Sequence, residues 1–199
     1  SYLNLYRKLA FSVIPLNFKE KTPALAAWKM YQSRKPTDQE FAEWFSEEQV
    51  AKGVNIGVIC GKLPDKPLWL VVIDFDSPES YRKFFDSEKI ERDTLVVKTS
   101  RGFQVYLLSD SSVKSAKIPE LKMEIRSDGN YVVAPPSIHP TGIRYDFINP
   151  EGKEIQEVTG LEESLWKRIE ELGVRKRVFI DPTWRTGRVG SYKGSTPPC

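Results

Sequence analysis

The chain has 199 residues, 40% of them hydrophobic, and a formal net charge of +3 from 30 Lys+Arg against 27 Asp+Glu. That length and composition suit one well-buried core and exclude wholesale disorder or a collagen-like repeat, and no apolar run approaches the roughly 20 residues needed to span a bilayer. One histidine and two cysteines, Cys60 and Cys199, exclude a disulfide framework and an all-Cys/His zinc site, so the expected setting is a reducing cytoplasm and any metal must be held by carboxylates.

The charge is unevenly spread. Residues 1–35 carry a net +6, residues 174–199 a net +5 and the middle a net −8. Basic ends around an acidic middle suit a polyanion held at the rim of a cation-binding centre, and equally the ordinary solubility of basic termini.

In chain order, Leu5 and Leu9 stand at helical spacing within Tyr2 to Phe11, and a short strand follows over Ser12–Leu16. A basic loop through Lys19, Lys21 and Pro23 leads to Trp28. Thr37 and Glu40 have capping-box spacing, with Phe41, Trp44 and Phe45 at i, i+3 and i+4, which predicts one amphipathic helix to about Ala51. Asn55–Cys60 and Leu68–Phe75 read as buried strands. Ser77-Pro78-Glu79 opens a helix containing Tyr81, Phe84 and Phe85. Thr94–Ser100 with Gln104–Leu108 predicts one hairpin, and Leu121–Arg126 with Tyr131–Ala134 a second. Arg144–Ile148 suggests a further strand. Thr159 and Glu162 suggest another capping box before a helix face of Leu161, Leu165, Ile169 and Leu172. A basic, glycine-containing tail reads as a docked arm or linker. Strands mostly in hairpins, with helices early and late, predict an α+β fold around a largely antiparallel sheet rather than a doubly wound one.

The chemistry concentrates in Val72-Ile73-Asp74-Phe75-Asp76. Strand alternation puts Asp74 and Asp76 on one face, where two acids at the end of an apolar strand repel each other and call for a compensating cation. A strand simply running into an Asp-rich turn has the same look. Lys122, Glu124 and Arg126 alternate onto one face of another segment, so Glu124 is either a third ligand or half of a solvated ion pair. Three such acids can hold two Mg²⁺ or Mn²⁺ about 4 Å apart, as phosphoryl transfer requires. Lys98, Thr99, Ser100, Arg101 and Gly102 form a turn able to face a triphosphate with backbone N–H groups and a guanidinium. Ser137 and His139 are Pro-flanked polar side chains on a rigid loop, His139 reading as a positioning group rather than a base.

In this order the motifs resemble the primase-polymerase domain of the archaeo-eukaryotic primase superfamily, especially forms carried on archaeal plasmids and mobile elements. The resemblance runs from about Val13 to Ile148. It rests on Lys21-Thr22-Pro23 with Trp28, Asn55 to Gly61, Val72 to Asp76, Lys98 to Tyr106, and Glu124 to Ser137. It implies an RRM-like sheet carrying the acids beside an N-terminal α/β unit, with a catalytic domain over 1–160 and a C-terminal helix and basic arm over 161–199.

It further implies a DNA primase/polymerase in which Asp74, Asp76 and Glu124 bind Mg²⁺ or Mn²⁺. Lys98, Ser100, Arg101, Gly102 and Gln104, with Ser137 and His139, would hold the incoming dNTP or NTP. Lys19, Lys21, Lys29, Arg34, Lys35, Arg185 and Arg188 would hold template and primer DNA in a salt-sensitive way. Tyr131 or Trp184 would stack on a base, and a helicase domain or replication partner would act alongside. Two positions depart from the pattern. Gln104 stands where the family usually has histidine, so it donates a hydrogen bond but carries no charge. Glu124 stands where Asp is common. The zinc-binding stem of some relatives is not expected. A two-metal nuclease or phosphodiesterase would use the same acids, and a non-catalytic DNA-binding replication scaffold would tolerate Gln104.

Overall fold

The computed structural model describes residues 1–85, 94–148 and 154–176. The chain order is α1 (Tyr2–Lys8), β1 (Val13–Leu16), α2 (Asp38–Trp44), α3 (Glu47–Ala51), β2 (Asn55–Ile59), β3 (Gly61–Lys62), β4 (Trp69–Phe75) and α4 (Pro78–Phe85). It continues with β5 (Val96–Lys98), β6 (Phe103–Ser109), β7 (Ala116–Ile118), β8 (Met123–Arg126), β9 (Tyr131–Ala134), β10 (Asp146–Phe147), β11 (Gln156–Val158) and α5 (Leu161–Glu171).

These elements make two sheets. A three-stranded sheet runs β1-β2-β9, and an eight-stranded sheet runs β10-β5-β6-β4-β8-β7, with β11 beside β6 and β3 beside β4. Among the described strands every pairing is antiparallel except β11 with β6. The expected mixed, largely antiparallel α+β character is therefore present.

The large sheet is the middle of three layers. On one face, Val71, Ile73, Phe75, Val105 and Ile125 pack with Tyr81 and Phe84 of α4 and with Leu161, Leu165 and Ile169 of α5. On the other, Leu70, Val72, Val97 and Tyr106 pack with Ile14, Leu16, Ile56 and Val58 of the small sheet. Burial on both sides explains why β4 reads as an almost unbroken apolar run. It also makes Asp74 the exception in that run. Arg168 on α5 ties the layer of helices together by donating to the Phe84 and Lys83 carbonyls at the end of α4, at 2.7 and 2.8 Å.

Three expectations are corrected. The helix expected from Thr37 to Ala51 is two helices, because Ser46 starts a second one by accepting the Gln49 N–H at 3.3 Å. The capping box expected at Thr159 and Glu162 does not form. Gly160, with φ of 64°, is the N-cap, and Glu162 instead accepts the Lys114 N–H at 3.0 Å. Most consequentially, β8 and β9 are not a hairpin. β8 joins β4 in the large sheet while β9 joins β2 in the small one. The turn between them is held away from hairpin geometry by other partners: Asp128 accepts the Lys62 N–H at 2.8 Å, and Ser115 accepts the Ser127 N–H at 3.0 Å. This crossing stitches the two sheets together beside the acidic residues. The strand expected over Arg144–Ile148 is realised only as β10.

The Thr37–Glu40 capping box is fully formed and doubles as a clasp. Glu40 accepts from Arg34 at 2.7 and 2.8 Å, from the Tyr31 hydroxyl at 2.8 Å and from the Thr37 N–H at 2.8 Å. Arg34 also lies over the Tyr31 ring, 4.5 Å from its centroid. These donors, Arg34 foremost, hold the Glu40 carboxyl well below the usual carboxylate range. A depressed folded pKa contributes stability that is complete above the unfolded value, about 4, and is lost as pH falls below it. Glu40→Gln should therefore lower the thermal midpoint at pH 7, and its deficit against the wild type should narrow as the pH is taken below about 4; calorimetry across that range checks it.

Candidate active site

The register across β6, β4 and β8 builds the site. Asp74 is the direct partner of Gln104 on one side and of Glu124 on the other. Directly opposed residues in an antiparallel pair project from the same face. Gln104, Asp74 and Glu124 thus form a row across three strands, on the face turned toward the small sheet, and Lys117 of β7 extends the row beside Glu124. The Lys117 ammonium lies 3.6 Å from the Glu124 carboxylate.

Asp76 lies just past the end of β4, where its N–H donates to the Lys122 carbonyl at 2.9 Å. Its carboxylate turns to Arg101, whose Nη2 is 2.9 Å away. Arg126 sits between the other two acids, with Nη2 at 2.6 Å from Glu124 and Nε at 3.5 Å from Asp74. That second contact is an ion pair without hydrogen-bond geometry, and the buried Nε has no hydrogen-bond partner. Burial is the largest influence on Asp74. With help from the Asp76 and Glu124 charges, and against Arg126 and Lys21, it pushes the carboxyl up to about 6.

An open pocket of about 210 Å³ lies in front of this row, lined by Asp74, Gln104 and Arg126 on one side and by Lys21, Trp28 and Tyr131 on the other. Trp28 meets Tyr131 edge-on at 4.9 Å, and the Tyr131 hydroxyl donates to the Lys21 carbonyl at 2.6 Å. Gln104 is buried, and its Oε1 has no hydrogen-bond partner. Tyr145 also lines the pocket. Burial, reinforced by the Asp74 charge, pushes its hydroxyl up to about 12, and the hydroxyl pairs with Ser100.

The sequence-derived residues fare differently. Asp74, Gln104 and Lys21 meet at the pocket, Glu124 stands next to Asp74 in the row without lining it, and Arg101 and Ser100 are linked to the site through Asp76 and Tyr145. His139 accepts the Thr141 N–H on Nδ1 at 3.2 Å, and burial together with the Lys21 and Arg101 charges lowers its pKa. Lys98 is corrected. It pairs with Phe103, one residue out of phase with the Val97–Gln104–Asp74 row, so its side chain leaves from the opposite face of the sheet. Ser137 is committed elsewhere, its hydroxyl accepting the Ile56 N–H at 2.8 Å and facing the Ile56 carbonyl at 3.3 Å.

The Gly102 N–H donates to the Thr99 hydroxyl at 3.0 Å instead of pointing outward, and Arg101 N–H lies 3.4 Å from the same oxygen. Among the residues expected to contact DNA, Arg34 is spent on Glu40 and Lys35 is paired with Asp65. Lys19, whose ammonium lies 5.5 Å from the Phe18 ring centroid, and Lys29 are exposed, and of the three lysines only Lys21 lines the pocket. Arg185, Arg188 and Trp184 lie outside the described residues. Arg126, Tyr145 and Trp28 line the pocket without having been assigned to it from the sequence.

Among the described residues no three His, Cys, Asp or Glu side chains are gathered closely enough to hold a metal ion. The donor set is nevertheless of the right kind. Asp74 and Glu124 are hard oxygen donors that already share one positive group, the Arg126 guanidinium, while Asp76 stands just past the end of β4 with its own arginine.

A family model described as bifunctional DNA primase/polymerase, N-terminal, matches residues 3–161. The chain belongs to the Prim-Pol family. Membership carries DNA primase/polymerase activity in general, that of a nucleotidyltransferase-type enzyme whose substrates are DNA and nucleotides. The matched span takes in the whole acidic row, the Arg101 turn and both sheets. No curated protein matches the chain. Among the described residues, no helix is long and apolar enough to cross a membrane.

Proposed function

We propose that this Prim-Pol domain carries out template-directed transfer of nucleotides from (d)NTPs to a DNA 3′-hydroxyl, with Asp74, Asp76 and Glu124 holding two Mg²⁺ or Mn²⁺, in the replication of a plasmid or mobile element. On this reading residues 1–160 are the catalytic domain, the eight-stranded sheet is its RRM-like core and α5 is an accessory helix; the basic arm expected beyond it lies outside the described residues. The observation that carries the proposal is the register that sets Gln104, Asp74 and Glu124 side by side in one row, with Asp74 and Gln104 lining the pocket and Glu124 next to Asp74.

Bound divalent ions would neutralise the reacting phosphates and make the 3′-hydroxyl easier to deprotonate. The chain's own residues do the rest. Arg101 leaves Asp76 for the nucleotide's phosphates, a guanidinium exchanging one anion for another at the same rim. Gln104 offers the nucleotide a hydrogen bond without a charge, a weaker hold than the histidine usual in the family. Lys21, with Lys19 and Lys29, gives a sequence-tolerant hold on template phosphates that weakens as salt rises. Trp28 and Tyr131 wall the pocket with rings that suit a base.

The test is a labelled primer annealed to a longer template, incubated with dNTPs and Mg²⁺ or Mn²⁺. Extension is expected. Shortening of the primer would identify a nuclease instead, and a mobility shift without either reaction a binding scaffold.

A further inference from the structure

Arg126 faces two acids at once. Its Nη2 is 2.6 Å from Glu124, its Nε is 3.5 Å from Asp74 without a hydrogen bond, and it lines the same pocket as Asp74. Glu124 and Arg126 lie two residues apart on β8, so they share a face, and the pairing of Val72 with Arg126 and of Asp74 with Glu124 brings the guanidinium back over β4. One charge therefore serves two carboxylates, and serves Asp74 imperfectly. Such a contact sets a positive charge between two acids that would repel each other in a partly buried place, and it is weak enough to give way.

Resting on the metal-binding reading above, we propose that Arg126 is a displaceable internal counter-ion: it occupies the space between Asp74 and Glu124 until a divalent ion takes over the same two carboxylates, and metal binding includes the cost of dislodging it. Lys117 offers the contrast. It is also within ion-pair distance of Glu124, but its side chain is 79% exposed, it reaches only the outer acid, and solvent screens it. The role is one of positioning and competition, and Arg126 makes no contact with reacting atoms.

Mn²⁺ binding to the whole chain, followed by the paramagnetic signal of the free ion without nucleotide or DNA, tests this. Arg126→Gln should bind Mn²⁺ roughly five- to tenfold more tightly than the wild type, because the competitor is gone, while Lys117→Gln should change affinity by less than about twofold. Arg126→Lys, which keeps the charge in a shorter reach, should fall between and guards against a folding defect in the glutamine variant. The Mn²⁺-induced rise in thermal midpoint should likewise be larger for Arg126→Gln. Unchanged or weaker binding in Arg126→Gln, or equal tightening in Lys117→Gln, would overturn the proposal while leaving the metal site standing. Wild-type protein that binds no more Mn²⁺ than Asp74→Asn would instead remove the metal site, and the counter-ion role with it.

Discussion

Asp74→Asn should reduce nucleotide incorporation by at least about a thousandfold while leaving the protein folded. Asn keeps the shape of the side chain and one oxygen but gives up the charge, and Asp74 is the acid through which the row is connected: it is paired by register to both Gln104 and Glu124 and faced by Arg126. Without it, Glu124 stands alone on β8 and Asp76 stands beyond the strand end, too few anionic oxygens to hold cations at one place. Primer-extension rates for the two proteins, at saturating Mg²⁺ or Mn²⁺, check this, and a variant retaining a tenth of the activity would remove Asp74 from the catalytic set.

The same substitution should stabilise the protein at neutral pH, by about 1–2 kcal/mol. The carboxyl is pushed up to about 6, chiefly by burial. An acid whose folded pKa is raised binds its proton more tightly when folded, so it favours folding below its unfolded value, about 4, and this contribution is lost as pH rises through the folded value. Above about pH 7 the charged form is simply a cost, offset in part by Arg126. The difference in thermal midpoint between Asp74→Asn and wild type, measured in chelator, should therefore be near zero at pH 4, grow between pH 4 and 6, and level off above. A flat difference across that range would mean that Asp74 is as well solvated folded as unfolded. Activity and stability pulling in opposite directions at one residue is what a charged group kept for function in an apolar strand requires.

Part of this site was legible in the sequence because strand alternation is local. Asp74 and Asp76 on one face, and Glu124 with Arg126 on one face, follow from a period of two. Lys98 is different: a period of two counted over the six residues back from Gln104 keeps both on one face, and only the turn that pairs Lys98 with Phe103 sends its side chain to the other. The pairing of Asp74 with Glu124 was not legible. Register between strands some fifty residues apart is set by which apolar faces must be covered, and no short segment carries that information. For the same reason, Ser127-Asp128-Gly129-Asn130 has the composition of a hairpin turn yet carries the chain from one sheet to the other: its decisive partners, Lys62 and Ser115, lie far away in sequence. Arg34 misled as a basic residue in a basic stretch, since only the folded clasp reveals that Glu40 consumes its charge. Tyr145 gave no signal at all, because its place at the pocket depends on where the segment before β10 is laid down.

Gly102→Ala should cost about 3 kcal/mol of stability and raise the KM for nucleotide. A Cβ on this residue would meet the Phe75 carbonyl oxygen at 2.0 Å and the Ser77 nitrogen at 2.8 Å. Both are backbone atoms at the end of β4, so neither can swing away as a side-chain tip would. The β5–β6 turn packs directly onto the strand that delivers Asp74 and Asp76, and glycine is what lets it come so close. Forcing the two apart would move Arg101 off Asp76 and loosen the Thr99 hydroxyl's hold on the Gly102 N–H. Gly142→Ala is the fitting comparison. Gly142 has a positive φ of 89° but open space around it, so alanine there should cost only the left-handed strain, about 1 kcal/mol. Urea unfolding of both variants should rank Gly102→Ala well below Gly142→Ala. The reverse order would mean that the turn carrying Arg101 is not seated on β4, and the guanidinium would lose its fixed place beside the aspartates.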